Sequence, residues 1–210
     1  MASTINHFKE PFDCFTFENF FTEEQLVDVW KELDYITSNE LIVTDDQKKV
    51  GTAEDPKTGE LIAKRKGIFL EHLYANFRQS SKIYNHIKDN FLHNNTLVDT
   101  FPKSTLIKYM PHTNHDSVLL SFYNDNDYYK PHVDSSVMTL IIYLWKGEKT
   151  FEGGELIFVD DELEFDPGYN EAILFPSCHR HEVEKIISKG DKDYPFERIA
   201  VSVFLTIKPT

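Results

Sequence analysis

Residues 117–145 read SVLLSFYNDNDYYKPHVDSSVMTLIIYLW. Two runs in this stretch, 118–124 and 137–144, are rich in Leu, Ile, Val and aromatic residues. A cluster of Asn and Asp separates them, and neither shows apolar positions at helical spacing. Such runs read as strands. Working outward, runs of the same kind occupy 104–110, 155–159, 171–175, 180–186 and 198–207, with Gly, Pro, Asn and Asp between them. The pattern predicts an all-β barrel or sandwich over about 101–208.

The first hundred residues follow another grammar. Thr22-Glu-Glu-Gln25 has the form of a capping box, with Thr22 as N-cap and Gln25 reaching back from the third helical position. Leu26, Val29, Trp30 and Leu33 follow at helical spacing, predicting a helix over about 23–35. A second helical pattern covers roughly 75–92, with Phe77, Ile83, Ile87, Phe91 and Leu92. Between the two, the polar segment 44–66 contains the turn-like DPKTGE of residues 55–60 and is expected to form a mobile flap. No repeat or linker divides the chain, so residues 1–210 are expected to form a single domain in which 1–100 supply helical and flap support.

Composition narrows the function. Lys plus Arg is 22 against 35 Asp plus Glu, a formal net charge of −13. That balance argues against binding by phosphate neutralisation, and a nucleic-acid partner is not expected. No apolar run is long enough for a membrane span, and the opening MASTINHFKEPF has no apolar signal core. With two cysteines there is no disulfide framework, so a cytoplasmic location is expected.

Chemistry is concentrated in Lys130-Pro-His132-Val-Asp134-Ser135. In an extended segment, His132 and Asp134 at i and i+2 project to the same side and offer an imidazole and a carboxylate to one ion. A second His from a neighbouring strand would complete a two-His, one-carboxylate triad with open positions for an oxidant and a bidentate co-substrate. His179 and His181 are both available for that place. His112 and His115 read as loop residues.

The order of motifs after His132 resembles the iron(II)- and 2-oxoglutarate-dependent dioxygenases, particularly the prolyl 4-hydroxylase-like branch. The series runs His132-Val-Asp134, Thr139 to Tyr143, Phe151-Glu-Gly-Gly-Glu-Leu156, Pro167-Gly168, Ala172-Ile-Leu-Phe-Pro-Ser177, His181-Glu-Val183 and Arg198 to Phe204. The resemblance implies a mainly-β, double-stranded β-helix (jelly-roll, cupin-like) core with supporting N-terminal helices. It also implies Fe(II) held by His132, Asp134 and His181, with 2-oxoglutarate and O2 as co-substrates and stimulation by ascorbate. Arg198 would grip the far carboxylate of 2-oxoglutarate, with Tyr143, Tyr123 and Thr139 around it. The loop from His181 to Arg198 is longer than the family's usual turn, which leaves Lys185, Lys189 or Lys192 as other sources of that charge. The implied reaction is hydroxylation of a C–H bond in a peptide or protein substrate, in its commonest form a peptidyl proline, with Tyr128, Tyr129 and Phe204 near it. A free amino acid, another side chain, a nucleobase, or a non-catalytic binding module are the alternatives.

Overall fold

A computed structural model of the chain describes residues 3–41, 58–59, 61–192 and 194–208. Strands β1 (Thr4–Phe8) and β2 (Cys14–Glu18) precede helix α1 (Glu23–Ser38). Strands β3 (Ala63–Lys64) and β4 (Lys66–Phe69) lead into short helices α2 (Leu70–Tyr74), α3 (Lys82–Ile87), α4 (Thr96–Thr100) and α5 (Thr105–Tyr109). The rest is strand: β5 (His115–Tyr123), β6 (Tyr128–His132), β7 (Met138–Leu144), β8 (Phe151–Glu152), β9 (Leu156–Phe158), β10 (Leu163–Phe165), β11 (Glu171–Pro176), β12 (His181–Val183), β13 (Ile187–Ser188) and β14 (Arg198–Thr206). Of the segment expected to be a flap, residues 44–57 and 60 lie outside the described residues, and 61–66 contribute β3 and the start of β4.

The larger sheet has the order β1-β2-β11-β7-β14-β5-β4, the smaller β10-β9-β12-β6-β3, and β13 pairs with β8. The two main sheets pack face to face, as in the contact between the rings of Phe158 on β9 and Phe175 on β11, 4.9 Å apart. Among the described residues they remain two open sheets and do not join into a closed barrel. The fold is mainly β with N-terminal helices, and no described helix is long and apolar enough to cross a membrane.

Strand parity explains how one sheet serves two purposes. Side chains alternate across a strand. On β14, Ile199, Val201, Val203 and Leu205 enter the core beneath the helices. Arg198, Ala200, Ser202 and Phe204 face the other way, into a pocket between the sheets. On β7, Leu140 and Ile142 join the helix-side core while Thr139, Ile141 and Tyr143 line the pocket. Every residue of β7 is buried, as a central strand covered on both faces requires. Each Leu, Ile or Val so buried contributes about 1.5–3 kcal/mol.

Helix α1 begins as its capping box predicts: Gln25 N donates to Thr22 Oγ1 at 3.2 Å, and Thr22 N donates to Gln25 Oε1 at 2.9 Å. Leu26, Val29, Leu33 and Ile36 enter the core. Glu32 on the same face is buried but satisfied, accepting from Tyr74 Oη at 2.6 Å and from Ile83 N at 2.9 Å. The helix therefore docks with its charge already partnered.

Two expected elements differ. The strand expected at 104–110 is helix α5, started by Ser104, whose hydroxyl accepts from Ile107 N. The cap outweighs the β-branched composition that suggested a strand. The helix expected over 75–92 is interrupted: α2 stops at Tyr74, and Ser81 caps a new start at α3.

Candidate metal centre

The small sheet brings two histidines together. His181 on β12 lies directly opposite His132 at the end of β6, and Asp134 follows two residues later, its N–H donating to Ser177 O at 3.2 Å. One ligand atom from each of the three lies within 4.8 Å of the others. Asp134 Oδ1 is 3.5 Å from His132 Nε2, and Oδ2 is 3.6 Å from His181 Nε2. Each imidazole is held by its far nitrogen. His132 Nδ1 donates to Lys130 O and His181 Nδ1 to His179 O, both at 2.9 Å. A carbonyl only accepts, so each Nδ1 carries a proton and each Nε2 is the nitrogen turned toward the carboxylate, able to donate to it when protonated and to bind a metal when not.

A chain of hydroxyls supports Asp134. Thr139 Oγ1 donates to Asp134 Oδ2 at 2.7 Å. With its one proton used, it accepts from Ser177 Oγ at 2.8 Å, and Ser136 Oγ lies 2.7 Å from Ser177 Oγ. Burial pushes the Asp134 carboxyl up, but the hydrogen bond and charge of His132, the charge of His181 and the Thr139 hydroxyl together hold it below its ordinary range. Burial pushes the His181 imidazole down, against the pull of Asp134. Both shifts favour the forms that bind a metal, a carboxylate and a neutral imidazole.

Arg198 closes the inner end of the pocket. It is 1% exposed, with its Cζ 4.8 Å from the Tyr123 ring centroid and 5.2 Å from that of Tyr143. Its Nη1 donates to Gly154 O. Its Nε and Nη2, and the hydroxyl of Tyr143, are buried without a partner. Burial also pushes the Tyr143 phenol well above its ordinary value, offset in part by the Arg198 charge. Three donors that have left water and found no acceptor are costly by themselves, and here they share one pocket with the two histidines and Asp134.

Residues 118–206 match the family model of the 2OG-Fe(II) oxygenase superfamily. The match takes in 89 of the 210 residues, so the likeness to that superfamily is one of the strand-rich second half of the chain. Among solved structures, a prolyl-4-hydroxylase from Pseudomonas putida is 12% identical with a TM-score of 0.53, covering 93% of each chain. The structure of OsALKBH1 is 11% identical with a TM-score of 0.57, covering 96% of this chain and 99% of that one. These likenesses are of fold. No curated protein matches by sequence.

The residues present fit what a 2OG-Fe(II) oxygenase holds. His132, Asp134 and His181 form a two-His, one-carboxylate facial triad consistent with Fe(II). The bound metal would activate dioxygen with 2-oxoglutarate as electron donor. The unpartnered donors of Arg198 and Tyr143 suit a carboxylate, which can accept from a guanidinium fork and a phenol at once. Lys189 pairs with Glu152 at 2.6 Å, Lys192 with Glu197 at 3.2 Å, and Lys185 is exposed, so none of the three lysines lines the pocket. His179 is occupied elsewhere, 2.8 Å from Asp161 and stacked on Phe12. Tyr123, Tyr129, Thr139 and Phe204 all line the pocket, whereas Tyr128 lines neither its inner nor its outer part.

One expectation from composition is corrected. The acidic balance was read against nucleic acid, yet the chain shares its fold with OsALKBH1, by its name an AlkB homologue. The physical fault lies in using a whole-chain sum. The net charge is −13, but the pocket's own lining carries Arg65 and Arg198 against Asp134 alone.

The roles of Ser177, Ser136 and Gly154 emerge from the structure. Gly154 has φ +84°, and a Cβ there would stand 2.9 Å from Arg198 Nη1 and 3.2 Å from its Cζ. The second glycine of the Gly-Gly pair therefore makes room for the guanidinium. Gly154→Ala is predicted to raise the Michaelis constant for 2-oxoglutarate by at least ~10-fold, about 1.4 kcal/mol, with metal affinity unchanged. Steady-state titration checks this, and an unaltered constant would remove Gly154 from the co-substrate site. Thr139→Val keeps the shape but removes the donor to Asp134. Loss of such an outer partner costs about 10–100-fold in metal affinity, measurable by competition with a chelator. Wild-type affinity would show that Asp134 needs no such support.

Proposed function

We propose that this chain is a 2OG-Fe(II) oxygenase that hydroxylates a C–H bond of a peptidyl proline, releasing succinate and CO2, with residues 1–210 acting as one domain. The observation that carries the catalytic part is the meeting, in one pocket, of the three-ligand cluster with the unpartnered donors of Arg198 and Tyr143. His132, Asp134 and His181 serve as metal ligands. Arg198 and Tyr143 hold the far carboxylate of 2-oxoglutarate, Tyr123 packs against the guanidinium, and Thr139 steadies Asp134.

The prolyl assignment is supported by the motif series from His132 to Phe204, in the order of the prolyl-hydroxylase branch. The outer groove suits it. Tyr129 stacks on the His132 ring at 3.6 Å, and Phe69, Leu119 and Phe204 add apolar walls against which a pyrrolidine ring can pack. The protein's own residues then hold the substrate and shield the centre from water, and the chemistry requires no general base.

The test is incubation with Fe(II) and 2-oxoglutarate across panels of proline peptides, other peptides, free amino acids and oligonucleotides. Expected is a mass gain of one oxygen on proline, matched by succinate and dependent on both additions. Oxygen transfer to a different class with proline peptides untouched would keep the oxygenase and discard the prolyl substrate.

A further inference from the structure

The pocket contains a second arginine to which the co-substrate gives no role. Arg65 sits between β3 and β4, where the chain passes from the edge of the small sheet to the edge of the large one. It lines both the inner pocket and the outer groove. Its Cζ is 5.4 Å from the Tyr129 ring centroid, and Tyr129 lies flat against the metal-side His132, the two planes 9° apart. Its Nε is buried and has no partner.

The flanking cations are directed elsewhere. Lys64 reaches Asp127 at 3.3 Å, and Lys66 lies over the Phe196 ring at 5.9 Å. Among the described residues lining the outer groove, Arg65 is the one cation, and the one acid is Asp134, which faces the two histidines. The inner cation, Arg198, is enclosed by Tyr123, Tyr143 and Gly154. The two arginines therefore serve different places, one enclosed at the inner end and one reaching the mouth.

We infer that Arg65 is a specificity-determining residue that binds a carboxylate on the substrate, namely an acidic side chain close in sequence to the residue that is oxidised. This rests on the peptide reading above. A guanidinium fork pairs with a carboxylate through two charge-assisted bonds, and a lone cation in an otherwise apolar and hydroxyl-lined groove suits a single acidic group. Its position against Tyr129 would register the peptide relative to the metal, because Tyr129 contacts both Arg65 and His132.

The experiment measures binding to the Fe(II)- and 2-oxoglutarate-loaded protein without oxygen. The probes are acetylated, amidated pentapeptides centred on proline, carrying Asp or Glu beside it, their Asn, Gln and Lys counterparts, and a single-stranded pentanucleotide. The acidic peptides are expected to bind about 10-fold more tightly than their amides. Arg65→Gln should bring that ratio close to one while leaving 2-oxoglutarate affinity intact, and Arg65→Glu should turn the preference toward lysine peptides. Equal binding of acidic and amide peptides to the wild type overturns the inference. So does a fall in 2-oxoglutarate affinity in Arg65→Gln, which would place Arg65 in the co-substrate site. Arg65-dependent binding of the oligonucleotide alone replaces the carboxylate by a phosphate and also overturns it. Acidic peptides that bind through Arg65 but gain no oxygen when air is admitted would sink the prolyl hydroxylation and leave Arg65 in place.

Discussion

Asp134→Ala protein should show no coupled turnover of 2-oxoglutarate while keeping the circular dichroism spectrum and melting temperature of the wild type. Asp134 is the one anionic member of the His132–Asp134–His181 cluster, and its removal leaves two neutral imidazoles for a divalent ion. The expected loss in activity exceeds the ~100-fold that removing an outer partner costs. The fold should tolerate the change because Asp134 lies beyond the end of β6, and its backbone N–H keeps its bond to Ser177 O. Asp134→Asn separates charge from shape: it preserves an acceptor for Thr139 and should still fail to turn over. A full-rate Asp134→Ala enzyme would end the assignment of this cluster as the metal site.

Arg198→Ala should weaken 2-oxoglutarate by 2–5 kcal/mol, about 30- to 5,000-fold, the usual cost of truncating a buried, hydrogen-bonded charge pair. Arg198 is 1% exposed and holds two unpartnered nitrogens in the pocket, so a carboxylate paired with it would be shielded from solvent. Arg198→Lys keeps the charge and loses the fork, and its affinity should fall between the two. Titration of the loaded metal site by its visible absorption measures all three proteins. Unchanged affinity in Arg198→Ala would move the carboxylate grip to another cation, and Arg65 is then the one remaining among the described pocket residues.

The three-ligand cluster was legible in the sequence because His132 and His181 sit on regular strands, with Asp134 just past the end of one, in a recognisable order. The parity of β14 follows from alternation alone and puts Arg198 and Phe204 on one face. His132 with Asp134 could be read from spacing, while the choice of His181 over His179 needed the family pattern. What escaped reading was set by tertiary packing. Residues 104–110 have strand-like composition, but Ser104 caps a helix there and its hydroxyl also donates to Asp13 at 2.7 Å, a contact across 91 positions. Strands β1 and β2 were missed because β1 is short and mostly polar and β2 is a brief aromatic run, and neither reads as a strand until β2 pairs with β11 and β1 with β2. Arg65 lies in a run of three cations that reads as a solvated face, and only the folded structure separates the one that enters the groove from its neighbours. The net charge misled because it averages over the whole chain, whereas the pocket lining carries two arginines against one carboxylate.

The strand order also has a consequence for how such an enzyme can diverge. Arg198 and Thr139 stand on β14 and β7, inside the large sheet with paired strands on both sides. Arg65 and Phe69 belong to the segment that forms the outer margin of both sheets, β3 and β4. Changing an interior position disturbs two ladders and a close-packed core at once, whereas a marginal strand loses fewer bonds when altered. Mutational drift is thereby channelled: the interior strands that carry Arg198 and Thr139 are locked by their neighbours, and the marginal segment that carries Arg65 and Phe69 is freer to explore. A saturation library over residues 61–69 should yield folded, 2-oxoglutarate-consuming variants with new substrate preferences far more often than one over residues 198–204.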